Sequence, residues 1–113
     1  MTQTSTEIAQ SQEQLYVQAS TAAIEAADAY LKEGHHWFPC GFAWVTITPA
    51  RGKFVTYLKS IGVGDKAYEG GWKIWNPSRN HTQSMEALKV GAEAFAKVLQ
   101  AAGINCYAAS RMD

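Results

Sequence analysis

The chain predicts a single small domain of the α/β or α+β class, with a three-stranded sheet, about three helices and a long first helix. Three observations point there. Apolar residues recur at three- and four-residue spacing in three segments, and short alternating runs of aromatic and β-branched residues lie between them. Glycine or proline stands at nearly every junction.

Residues 1–10, rich in Thr, Ser and Gln, are expected to be a flexible N-terminus, with the domain occupying residues 11–113. From about Ser11 to Glu33 the series Leu15, Ala19, Ala22, Ala23, Ala26, Ala29 and Tyr30 marks an amphipathic helix stopped by Gly34. Its alanine face suits close packing, either on its own domain or against a second copy. His35-His36-Trp37-Phe38-Pro39-Cys40-Gly41 is expected to be a loop entering a strand. Adjacent residues of an extended chain point to opposite sides, and no metal-ligand spacing joins these histidines to Cys40, so no metal site is expected.

Phe42 to Thr48 alternates strictly and ends at Pro49, which makes it the clearest strand. Ala43, Val45 and Ile47 form a core face, whereas Phe42, Trp44, Thr46 and Thr48 form a second face of rings and hydroxyls. Arg51 to Ser60 is a short helix carrying Phe54, Val55 and Leu58, with Gly62 as its stop. The stretch from Val63 to Gly71 is expected to be flexible. It lacks the phosphate-loop pattern GxxxxGK[ST]. Trp72 to Trp75 is the second strand, with Lys73 and Trp75 on one face. Ser84 then caps a helix that runs to about Ala102, its buried stripe being Leu88, Ala92, Phe95 and Leu99 and its stop Gly103. Ile104 to Ala109 is the third strand, and Ser110 to Asp113 a tail.

Composition narrows the function classes. Four Trp, five Tyr and four Phe are many for 113 residues, so some rings are expected at a ligand site or a subunit interface. Ten basic and ten acidic residues cancel, which argues against a general nucleic-acid or membrane coat. Neither a signal peptide nor an apolar run of membrane-spanning length is seen, and a cytoplasmic location is expected. Cys40 and Cys106 are expected to be small buried hydrophobes.

The sheet face opposite the helices is expected to collect Phe42, Trp44, Thr46, Lys73, Trp75, Asn105 and Tyr107. The three arginines, Arg51, Arg79 and Arg111, each follow a predicted strand. In a parallel sheet they would gather at one edge and form a phosphate clamp. In an antiparallel one they divide between opposite edges. The expected ligand-binding set is therefore Trp75 and Asn76 for a base, Arg79, Arg111 and Arg51 for phosphate, and Tyr107 and His81 around them. His81 is the most credible acid or base were the chain an enzyme, but no recognised catalytic spacing surrounds it, and neither a catalytic residue nor a cofactor is expected. An RNA- or single-strand-binding module and a purely structural homo-oligomer are the alternatives.

The strings CGFAWVTI, GGWKIWNPS and YAASRMD resemble a group of small bacteriophage proteins whose closing residues follow an A-x-SR-x-D pattern. More loosely they resemble the first family of Thoeris anti-defence proteins, phage sponges that sequester cyclic ADP-ribose-type signals or cyclic oligonucleotides without cleaving them. The resemblance spans roughly residues 40–113. It implies an oligomer built from dimers in an infected bacterial host, with interface sites where an aromatic and arginines hold base and phosphate. The positions matched here are Arg111 and Asp113, and the resemblance thereby adds Asp113 to the expected ligand-binding set. The first helix lacks the arginine that such a site would draw from it.

Overall fold

The computed structural model describes residues 5–34 and 39–113, without the side chains of Ser5, Thr6, Ile8 and Ala9. Within them lie α1 (Ser5–Lys32), β1 (Gly41–Ile47), α2 (Lys53–Ser60), β2 (Asp65–Lys66), β3 (Trp72–Trp75), α3 (Met85–Ala101) and β4 (Cys106–Met112). The sheet has four strands rather than three, all antiparallel, in the order β2-β3-β1-β4. The class is α+β.

The extra strand, β2, is only two residues long and pairs Asp65 with Lys73 and Lys66 with Trp72. A turn closed by Ala67 N–H to Gly71 O and Gly70 N–H to Ala67 O joins it to β3. The stretch expected to be flexible is thus half of a hairpin. At the other edge β4 runs on to Met112, so the expected tail is strand: Ser110, Arg111 and Met112 pair with Ala43, Phe42 and Gly41. α1 begins at Ser5, so its first turns fall in the segment expected to be flexible.

Glycine stops both short-loop helices by the same device. At α3, Gly103 (φ 86°) donates to Gln100 O and Ile104 to Leu99 O; at α2, Gly62 (φ 73°) donates to Lys59 O and Val63 to Leu58 O. These paired bonds satisfy the last helical carbonyls and require a left-handed residue, which glycine adopts without strain. At the start of α3, the wholly buried Ser84 accepts from the Ala87 N–H through its hydroxyl (3.2 Å). Ser84→Ala is expected to cost about 1–2 kcal/mol, read as a lowered midpoint in urea unfolding, because the freed amide is buried.

The core is built from Ala43, Val45, Ile47 and Ile74 of the sheet, Phe54, Val55 and Leu58 of α2, and Leu88, Ala92, Phe95 and Leu99 of α3. α3 lies against β1 and β4, and α1 packs along α3. Of the expected alanine face of α1, Ala19 and Ala23 are fully buried, together with Ala27, whereas Ala22 and Ala26 are half-buried and Ala29 is exposed. A side chain on Gly91 of α3 would stand 3.1 Å from the Ala23 carbonyl oxygen and 2.8 Å from Ser78 Cβ. That closeness is within one chain, so around Ala23 the helix packs on the chain's own third helix. Tyr16 ties the layer together, its ring centroid lying 6.2 Å from those of both Tyr57 and Phe95.

Candidate functional site

The antiparallel register fixes what the sheet presents on its uncovered face, the one that no described helix packs against. Across it, Arg111 stands opposite Phe42, Ala109 and Trp75 flank Trp44, and Tyr107 and Lys73 flank Thr46. Phe42, Trp75 and Tyr107 remain between 41% and 48% exposed, although each ring is large and apolar. The rings form a continuous cluster. Trp44 and Trp75 are tilted at 5.0 Å between centroids, and Phe42 meets Trp75 edge-on at 6.3 Å.

Cations frame this cluster. Lys73 Nζ lies 5.0 Å from the Trp44 centroid and 5.2 Å from that of Trp75, and Arg111 Cζ lies 5.9 Å from that of Phe42. The Lys73 and Arg111 rows are four residues apart along β1, or about 13 Å, with the tryptophan row between them. Lys73 is partly neutralised by Glu69 at 3.7 Å. Thr46, in the row of Lys73 and Tyr107, is wholly buried, and its hydroxyl has no hydrogen-bond partner among the described residues.

A cleft of about 320 Å³ adjoins the rings where β1 enters the sheet and β3 leaves it. Phe42 and Trp75 form its aromatic wall, and Asn76, Thr82, Gln83 and Asp113 supply polar groups. The Asp113 N–H donates to the Cys40 carbonyl (2.9 Å), which holds the end of β4 against the entry to β1. The Cys40 thiol donates to Gln83 Oε1 at 3.6 Å.

Several expected site residues lie elsewhere. Arg51 follows β1 and so sits at the opposite end of the sheet, lining a separate cleft of about 290 Å³ with Lys53 and Asn105. Arg79 has a left-handed backbone (φ 56°) and gives its guanidinium to α1, donating to the Tyr16 hydroxyl at 2.6 Å. Arg111 lies inside β4, on the uncovered face. The three therefore share no edge, as the antiparallel alternative required. Asn76 lines the cleft, but its side chain is spent within its own loop: Nδ2 donates to Asn80 O and Oδ1 accepts from the Ser78 hydroxyl. Its own turn, at φ 44°, is what those bonds hold. His81 is exposed on the loop and does not line the cleft. Asn105, expected on the open face, instead pins β4 to β1 by donating to Thr48 O and Oγ1.

Phe42, Trp44 and Lys73 stand outside the expected ligand-binding set, although their alternation places them on this face. Gln83 and Thr82 carried no signal in sequence, since only the fold of the loop brings them to the cleft. His35 and His36 lie outside the described residues, and among those described no three potential metal ligands cluster. No described helix is long and apolar enough to cross a membrane.

The cysteines differ. Cys106 is buried and its pKa is pushed up to about 11 by desolvation, whereas Cys40 is exposed, contrary to expectation. A thiol reagent at pH 8 is expected to modify one cysteine per folded chain and both after denaturation. Because the folded state disfavours the Cys106 thiolate, this thiol also makes stability fall as pH rises from about 9 toward 11. Comparison of the chain with protein-family models, with curated proteins and with solved structures finds no match.

Proposed function

We propose that this protein is a non-catalytic binding protein that holds a flat, anionic, nucleotide-derived molecule on the uncovered face of its sheet. The observation that carries this reading is the tryptophan pair with a lysine over both rings and an arginine one row beyond, beside a cleft with an aromatic wall and a few polar groups. Aromatic faces stack on bases whatever their identity, and cations on either side of the stack attract phosphate. The cleft supplies acceptors at Gln83 and Asp113 for the amino group of a base whose ring lies over Trp75. With net charge zero the chain has no general attraction for a polyanion, which favours a small ligand over a long strand.

The bacteriophage motif resemblance supplies the biological role. The bound molecule is an immune signal of the cyclic ADP-ribose type or a cyclic oligonucleotide, sequestered intact in the cytoplasm of an infected bacterium. The direct test is to incubate purified protein with cyclic ADP-ribose isomers, cyclic di- and trinucleotides and a single-stranded RNA oligomer, remove the excess, denature and chromatograph what is released. Recovery of an intact small nucleotide is expected. A converted product would make the chain an enzyme, retention of the RNA alone would make it a nucleic-acid module, and retention of nothing would refute the reading.

A further inference from the structure

The two edges of the sheet are protected very differently. β2 closes one edge with two residues, too few to template another strand. β4 forms the other edge with seven residues, Cys106–Met112, and carries no proline, no lysine and no glycine. Short edges, charged side chains and proline are the usual means by which an edge is kept single, and of these β4 has one charge, Arg111.

The hydrogen bonds show which backbone groups of β4 face away from β1, with no backbone partner among the described residues. Asn105 O accepts from the Thr48 N–H and the Asp113 N–H donates to Cys40 O, so the odd-numbered residues direct their amides and carbonyls toward β1. Strand geometry then turns the even-numbered residues, Cys106, Ala108, Ser110 and Met112, outward. Gln100 Nε2 donates to Cys106 O at 2.9 Å from the α3 side, as that alternation requires. Ala108, Ser110 and Met112 pair with Val45, Ala43 and Gly41 in register, but in positions whose polar backbone atoms face away from β1.

We propose that β4 is a dimerisation edge, and that its occupant is the β4 of a second copy in antiparallel register centred on Ala109. Among two-fold registers, this centre alone overlaps all seven residues. It sets Ala108 opposite Ser110 of the second copy, so that their outward-facing groups meet as hydrogen-bonded pairs, and Cys106 opposite Met112 at the ends, where the Cys106 carbonyl shares its second lone pair beside Gln100. It sets Ala109 opposite Ala109, and Tyr107 opposite Arg111 of the second copy, as non-hydrogen-bonded pairs, whose side chains approach most closely. Each Arg111 guanidinium already lies 5.9 Å from its own Phe42 ring. In the dimer it is flanked on its other side by the half-exposed Tyr107 of the second copy, and the two-fold makes this cation–π contact twice. The small Ala109 pair leaves the axis unobstructed, and the two uncovered faces join into one eight-stranded surface. The pairing follows from the edge alone and does not rest on the ligand reading.

Light scattering on the purified chain at about 50 µM is expected to give twice the chain mass. The register is tested by cysteine cross-linking in a Cys40→Ser background, Cys106 being buried. Opposed non-hydrogen-bonded residues lie about 4.5 Å apart between Cα atoms, within disulfide reach. Ala109→Cys is therefore expected to form a covalent dimer under mild oxidation. Tyr107→Cys is not, since each Tyr107 lies four positions from its own copy across the axis, about 13 Å. A monomeric mass, or failure of Ala109→Cys to cross-link, overturns the proposal. Cross-linking of Tyr107→Cys as fast as Ala109→Cys overturns the register and with it the proposed interface.

Discussion

Replacing Trp75 with alanine is expected to weaken nucleotide retention by roughly 5- to 150-fold, the loss of one base stack at about 1–3 kcal/mol. The ring is 48% exposed and forms a wall of the cleft, so its removal strips contact surface from the proposed site rather than from the core. The folded protein loses only the ring contacts to Trp44 and Phe42, and its melting temperature is expected to move by a few degrees. Trp72 offers the opposite control. Its indole N–H donates to Val63 O at 3.0 Å and its ring receives Lys59 from the helix side, so Trp72→Ala is expected to reduce stability while sparing affinity. Equilibrium binding and thermal unfolding measured on both variants separate the two roles.

The largest effect on stability is expected from Phe95→Ala. Phe95 is fully buried at the centre of α3 and meets Tyr16 of α1 edge-on, so the truncation empties the layer that joins both helices to the sheet. Such truncations cost about 3–5 kcal/mol, a large share of the roughly 5–15 kcal/mol that stabilises an ordinary domain. At about 4–8 °C per kcal/mol for chains near this size, the melting temperature is expected to fall by at least about 12 °C. An unchanged melting temperature would mean that α1 and α3 do not pack as described.

The parts of the fold legible in sequence are those governed by local chemistry. Ala43, Val45 and Ile47 alternate with Phe42, Trp44 and Thr46, and Gly62, Ser84 and Gly103 mark helix ends by what their backbones and hydroxyls do, so these elements lie within a residue or two of their expected bounds. Strand direction has no such local signature. It alone decides that Arg51 and Arg79 leave the sheet at opposite ends, and that the three arginines form no common clamp. β2 is too short to show a period. The last residues of β4, Ser110, Arg111 and Met112, read as tail in sequence, because they are held by pairing to β1 rather than by burial.

The candidate site divides along the same line. Alternation placed Trp75, Trp44, Lys73 and Tyr107 on one face, and the register bears that out. Asn76 and Arg79 looked equally suited to a ligand, since an amide and a guanidinium on a proline loop are good recognition groups. Both sit in left-handed backbone, and their side chains bond to the loop and to Tyr16. Residue type shows what a side chain is able to hold. It does not show whether the chain's own atoms already occupy it.

The central claim, that the tryptophan face is where a nucleotide is held, is tested most directly by the indole N–H resonances of the protein, assigned with single Trp→Phe variants. Titration with the nucleotide recovered in the retention experiment is expected to shift the Trp44 and Trp75 indoles together and to leave that of Trp72, bonded to Val63 O, in place. Binding that leaves Trp44 and Trp75 unmoved would contradict the account.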